Sequence, residues 1–349
     1  MHNFIFFNTL AESGTQKEVI NNNFTIVSGK GTDIKDNPAL LNRAKRKTIT
    51  RKMILSLIDI TKAKGEPERQ QMYWNAYHCQ SKIISANNKL YGNYCKNRFC
   101  TICCAIRKAE NINKYYPTLK NWDEPHFVTL TVKSVEENNL NKWVYGMNRA
   151  FNLIKSRCKK RHQRGTGIQL IGIKSLECNF NPIRKTYNPH FHLIVPNKEI
   201  ALLLKKEWMF QWNKTADIHS SPKAQHIRKV ENLERDLIET IKYGSKIFTE
   251  TDLKKKGKKA TAPMVYAYAL DNILCAMKGK RIFDRFGFNL PKIGTKKIPQ
   301  QLITNFDEYI FSTSSTDWIN KTTGECLTGY LQPIELSHLL NECINTEAH

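Results

Sequence analysis

The chain has 349 residues, with 55 Lys+Arg against 31 Asp+Glu and a formal net charge of +24. That length holds one large or two ordinary domains with a sizeable core, and the charge points to a polyanionic partner, nucleic acid before a membrane surface. No apolar stretch reaches the roughly 18 residues that a bilayer-spanning helix needs, so no membrane association is expected. The opening MHNFIFFNTL has no basic lead-in and only a short apolar run, so no secretory leader is expected either. The ten cysteines then belong to a reducing cytoplasm, where clustering points to metal rather than to disulfides.

In chain order, residues 1 to about 45 carry scattered Gly, Asn, Asp and Thr without periodicity, and NRAKRKTITRK (Asn42 to Lys52) is a basic approach to the folded part. Residues 1–70 are therefore expected to be largely disordered, with a cysteine-rich segment at 71–112. From Phe127, FVTLTV alternates, with Val128, Leu130 and Val132 on the apolar face of a strand. Leu140, Trp143, Val144, Met147, Phe151, Ile154 and Cys158 recur at three- and four-residue steps, the stripe of an amphipathic helix. That helix gives way to a basic loop at Arg161 to Gly167. A second strand is expected from Ile168 to Phe180, broken by Asn181-Pro182, and a third over 188–195. Asn197 is expected to cap a helix running to Trp212. Another helix spans about Val230 to Phe248, KKKGKK near Lys254 is a solvated loop, and Tyr266 to Met277 is a further apolar helix. Strands and helices in this order make 113–295 an α+β domain, with a weakly patterned segment at 296–349.

Three constellations bear chemistry. In NPHFHLIV, His190 and His192 fall on one strand face, a spacing at which both imidazoles reach one divalent ion. An antiparallel hairpin could bring Glu177 of SLECNF beside them as a third ligand; two solvated strand histidines are the plainer reading. In LERDLIETIKYGSKIF, Val230, Leu233, Leu237 and Ile241 take the core side, leaving Glu239, Tyr243 and Lys246 clustered away from it. A phenol between an acid and a lysine suits phosphoryl transfer, although an ordinary helix surface shows the same spacing. Cys79 with Cys95, Cys100 and Cys103 of YCKNRFCTIC offers four thiolates for a closed zinc site, with Cys104 and His78 as substitute ligands. Lys96, Arg98, Arg107 and Lys108 surround it and suit a zinc-stapled DNA contact.

The order FVTLTV, LECNF, NPHFHLIV, ETIKYGSK resembles that of the rolling-circle replication initiators of small bacterial plasmids, members of the HUH endonucleases. YCKNRFCTICCAIRKAE is similar to the cysteine segment of their one-tyrosine branch, and AMKGKRIFDRFG to the segment after its catalytic helix. The resemblance runs from Cys79 to Gly287. It implies a central antiparallel sheet with helices mainly on one face and the metal site on the other, plus a small zinc-binding segment. It implies that His190, His192 and Glu177 bind Mg²⁺ or Mn²⁺ and that Tyr243 attacks the scissile phosphate at the double-strand origin. The 5′ phosphate then stays on the tyrosine and the free 3′ hydroxyl primes synthesis. Glu239, one turn earlier, activates water for the terminating cleavage, in place of the second tyrosine of other branches. The implied partners are origin DNA, double-stranded and exposed single-stranded, with a host helicase and polymerase; a homodimer is compatible with this reading.

Two other classes fit parts of the pattern. A non-catalytic, zinc-stabilised DNA-binding regulator accounts for the cysteines and the charge, but has no use for an outward tyrosine. A transposase of the same superfamily shares the chemistry and differs in the DNA around its gene. Tyr266 and Tyr268 are alternative nucleophiles, neither with a glutamate four residues before it.

Overall fold

The computed structural model describes residues 17–20, 24–26, 38–87, 89–181, 183–214, 219–241, 263–291 and 301–334. In chain order its elements are β1 (Lys17–Ile20), β2 (Phe24–Ile26), α1 (Pro38–Ala63), α2 (Pro67–Tyr77), β3 (Lys82–Ala86), β4 (Lys89–Asn93) and α3 (Thr101–Leu119). There follow β5 (His126–Thr131), α4 (Glu137–Gln163), β6 (Gly172–Asn181), β7 (Thr186–Val195), α5 (Lys198–Trp212), β8 (His226–Lys229) and α6 (Leu233–Thr240). The chain continues through α7 (Pro263–Met277), β9 (Phe283–Phe286), β10 (Gln301–Thr304), β11 (Asp307–Ser312) and β12 (Asp317–Asn320). The architecture is α+β, with antiparallel sheets. It divides into two compact units, one comprising residues 1–103 with 293–349, the other residues 104–292. Among the described residues no helix is long and apolar enough to cross a membrane.

The first unit holds a five-stranded sheet in the order β12-β11-β3-β4-β2 and a β1-β10 pair. Here the structure departs from the expectation that residues 1–70 are largely disordered: Pro38–Ala63 is a 26-residue helix. Leu40 and Ala44 of α1 are buried with Ile83, Leu90, Phe311 and Trp318 of the sheet. The separation of 296–349 from the N-terminal segments also gives way, because β11 pairs with β3 and extends their sheet. Gly65, at φ +66°, takes the left-handed conformation that ends α1, and Pro67 opens α2 at its first turn.

The second unit is built on the antiparallel sheet β8-β5-β7-β6-β9. The expected strands appear as β5, β6 and β7, although residues 168–171 lie outside β6, and α4 runs on to Gln163 where a loop was expected from Arg161. Every residue of the α4 stripe is buried except Trp143, which is half-buried. Asn197 caps α5 as expected, its side chain accepting from the Ile200 amide at 2.9 Å. Phe191 on β7 meets Phe151 of α4 and Trp208 of α5, with ring centroids 5.5 and 5.7 Å apart. Asn272 of α7 donates to the Tyr187 hydroxyl at 2.9 Å. Tyr187 and Phe191 have the same parity, so α4, α5 and α7 cover one face of the sheet. The even residues of β7 face the other way. Gly172 keeps β6, β7 and β9 in register, because a Cβ there would lie 2.7 Å from Phe286 Cζ and 2.8 Å from the Ile194 carbonyl oxygen.

Candidate active site and cysteine cluster

β6 and β7 form a hairpin in which Asn181 pairs with Thr186, and counting back along that ladder sets Glu177 opposite His190. His190 and His192 share a face with Glu177, and their Nε2 atoms lie 3.8 and 3.7 Å from Glu177 Oε2. Two donors about 2.1 Å from one ion lie between ~3.0 Å (cis) and ~4.2 Å (trans) apart, so this set fits a single divalent cation. All three side chains are buried or nearly so. Nδ1 of His190 lies 3.0 Å from the Asn188 carbonyl oxygen and must donate its proton there, which leaves the Nε2 lone pair directed at the carboxylate. Nδ1 of His192 is held by the Thr129 hydroxyl at 3.2 Å on the adjoining β5. Backbone pairing thus fixes both positions, and one hydrogen bond to each Nδ1 orients each ring.

A helix stands beside this face. Phe127, on the parity of Thr129, packs against the His192 ring at 5.1 Å. Arg228, opposite Phe127 on β8, lies over the Phe127 ring at 4.6 Å. Asp236 of α6 grips that guanidinium with both carboxylate oxygens, Nη1 donating to Oδ2 at 2.7 Å and Nη2 to Oδ1. The paired carboxylate holds the Arg228 pKa above its ordinary value, and Glu239 on the same helix adds to the field. Val230, Leu237 and Ile241 are buried as expected, Leu233 and Glu239 are half-buried, and α6 begins at the Asn232 cap. The described residues of this helix end at Ile241, so Tyr243 and Lys246 lie outside them. Sequence reasoning missed Asp236 and Arg228, because an acid in an acidic helix turn looks solvated until a partner strand arrives. Asp236→Asn is expected to cost about 1–2 kcal/mol after screening of the half-exposed arginine, a fall in Tm of roughly 2–8 °C by calorimetry.

In the first unit, Cys79, Cys95, Cys100 and Cys103 place their sulfurs within 4.8 Å of one another. Cys103 Sγ lies 3.5 Å from that of Cys79 and 3.4 Å from that of Cys95. Four sulfurs at Zn–S ~2.3 Å in a tetrahedron stand ~3.8 Å apart, so the cluster fits zinc. Hydrogen bonds from the other three thiols hold Cys100 well below the ordinary thiol range, while Cys79 and Cys103 are pushed up by sharing it. Four thiolates at these distances need a cation among them. The substitutes Cys104 and His78 stand outside this group; Cys104 belongs to the apolar core of the second unit, and His78 stacks on Trp74 at 5.9 Å.

Beneath the cluster runs α1. Lys47, 1% exposed, donates to the Cys79 carbonyl oxygen and, at 3.2 Å, to Ser81 Oγ. Burial pulls its ammonium down to about 8 against the opposing pull of Cys79, Cys100 and Cys95. Burial likewise lowers Arg43 to about 10, with Arg46 acting in the same direction and Cys79 and Cys103 against it. Of the expected DNA contacts, Lys96 is exposed and Arg98 half-buried in the first unit, while Arg107 and Lys108 are half-buried in the second. Tyr266 meets the Phe180 ring edge-on at 6.3 Å, and Phe180 points to the sheet face opposite Glu177.

The family described as replication protein (Rep_1) matches residues 88–317, more than half of the chain. A "Protein rep" from Staphylococcus aureus is 30% identical over 170 residues, covering 45% of this chain and 72% of that protein. "Protein rep" from Streptococcus pneumoniae serotype 2 (strain D39 / NCTC 7466) is 29% identical over 178 residues, 44% of this chain and 52% of the relative. One from Bacillus sp is 26% identical over 170 residues, 43% of this chain and 52% of the relative, so the match spans about half the length of these two. No solved structure matches the chain. The chain belongs to the replication protein family, the plasmid rolling-circle initiators that its motifs resemble.

Proposed function

We propose that the chain initiates rolling-circle replication by nicking one strand of a plasmid origin through Tyr243 and ends the round with water activated by Glu239. The observation that carries this reading is the buried convergence of His190 Nε2, His192 Nε2 and the Glu177 carboxylate on one sheet face, flanked by the helix that bears Glu239. His190, His192 and Glu177 would hold Mg²⁺ or Mn²⁺, whose chemistry there is polarisation of the scissile phosphate. The Tyr243 oxygen attacks phosphorus and its proton leaves to solvent. The bond from phosphorus to the 3′ oxygen breaks, the 3′ oxygen takes up a proton, and the 5′ phosphate remains on the tyrosine. Lys246, three residues further on, offsets charge on the phosphate oxygens. At the second cleavage Glu239 accepts a proton from water while the water oxygen attacks phosphorus; the bond from phosphorus to the 3′ oxygen breaks, and that oxygen takes up a proton. Lys96, Arg98, Arg107 and Lys108 contact backbone phosphates, and the four-cysteine cluster takes zinc as a structural ion. The partners of this cytoplasmic reaction are the origin, duplex and locally single-stranded, and the host helicase and polymerase.

Supercoiled plasmid carrying the origin, incubated with protein and Mn²⁺, should relax to open circles, and EDTA should stop the reaction. Glu239→Ala should nick at near the wild-type rate but slow the terminating cleavage at least about a hundredfold, seen as products longer than unit length. Normal termination by that variant rules out the proposed base. Salt-sensitive binding with no cleavage under any divalent ion leaves only the DNA-binding regulator.

A further inference from the structure

A zinc ion held by four cysteinates carries a net charge of −2, and here that charge would sit among buried side chains. The sulfurs of Cys79, Cys100 and Cys103 belong to residues no more than 3% exposed. Excess charge in such a place is costly unless opposite charge is buried with it. α1 brings two cations to the spot, Lys47 and, one turn earlier, Arg43. Lys47 is among the largest fully buried side chains of the described residues, which is unusual for an ammonium with no carboxylate partner among them. Its Nζ donates to the Cys79 carbonyl oxygen and to Ser81 Oγ, and lies 5.1 Å from the Phe311 ring centroid. A neutral donor could satisfy two such acceptors, so these contacts alone do not explain a buried cation. The residue whose carbonyl Lys47 grips is itself a cluster ligand, with its Sγ 3.5 Å from that of Cys103, so the ammonium stands beside the converging sulfurs; Arg43, on the same helix, buries an Nη1 that has no hydrogen-bond partner among the described residues.

We propose that Lys47, assisted by Arg43, neutralises the excess charge of the four-cysteine zinc centre and thereby sets its affinity for the metal. This rests on the zinc reading of the cluster. In this role α1 is part of the metal site: its inward face supplies the counter-charge, while the connecting segments at Cys79, Cys95 and Cys100 and the first turn of α3 at Cys103 supply the sulfurs.

The test is a zinc dissociation constant for the full chain, measured by competition with a chromophoric chelator at fixed pH and salt. Lys47→Gln, which keeps a hydrogen-bond donor and removes the charge, should weaken zinc binding about 10- to 100-fold. Lys47→Arg should stay within about threefold of wild type. Should Lys47→Gln fail to fold, Arg43→Gln leaves both Lys47 hydrogen bonds in place and should still weaken binding by about threefold or more. Wild-type affinity in the glutamine variants overturns the proposal while leaving the zinc site standing, and so does an arginine variant as weak as Lys47→Gln. Absence of stoichiometric zinc from the wild-type chain overturns both.

Discussion

Replacing Tyr243 with phenylalanine is expected to leave origin DNA bound but to lower formation of the covalent protein–DNA adduct at least about a thousandfold. Phenylalanine keeps the ring and removes only the attacking oxygen, so the loss falls on chemistry and not on binding. The measurement is transfer of a labelled 5′ phosphate to protein, resolved on a denaturing gel, beside a shift assay for binding. An undiminished adduct would falsify the assignment and move the nucleophile elsewhere. Tyr266 would be a poor substitute, since its partner Phe180 projects from the sheet face opposite the histidines.

Loss of one cysteine should have an effect as large on stability. Cys100 is 1% exposed, and its sulfur is one of the four that converge within 4.8 Å of one another. In Cys100→Ser, a weakly basic hydroxyl takes the place of one of the four sulfur ligands. Zinc content by elemental analysis should drop from one ion per chain to nearly none. With a loss of at least ~4 kcal/mol, Tm should fall by roughly 10 °C or more. A serine variant that keeps both zinc and wild-type Tm would show that the cluster is not a metal site of structural weight.

Much of the geometry of the candidate site was legible because it is local. Period-two alternation identifies β5 and β7, and the short break after Asn181 leaves four residues between two strands. That length sets the hairpin register, and with it the pairing of Glu177 with His190. Asp236 and Arg228 were not legible because their contact depends on β8, a four-residue edge strand too short to announce itself. The α1 error has a different origin. Arg43, Lys47 and Arg51 recur every four residues on a face where a helix ordinarily carries leucine, so the segment reads as a solvated basic run. What lies under that face are aromatic rings and cysteines, with Arg51 stacked 4.1 Å from the Tyr77 centroid. A cationic stripe is apolar in its stems, and only tertiary structure reveals which charges it answers.

The first unit is assembled from both ends of the described chain, since β3 takes β4 as one neighbour and β11 as the other. During synthesis the ribosome must therefore deliver the whole of residues 104–292 before β11 and β12 emerge to close the sheet. Until then β3 shows a bare ladder edge to every other nascent chain, and a premature stop soon after residue 292 would leave that edge permanently available for aggregation.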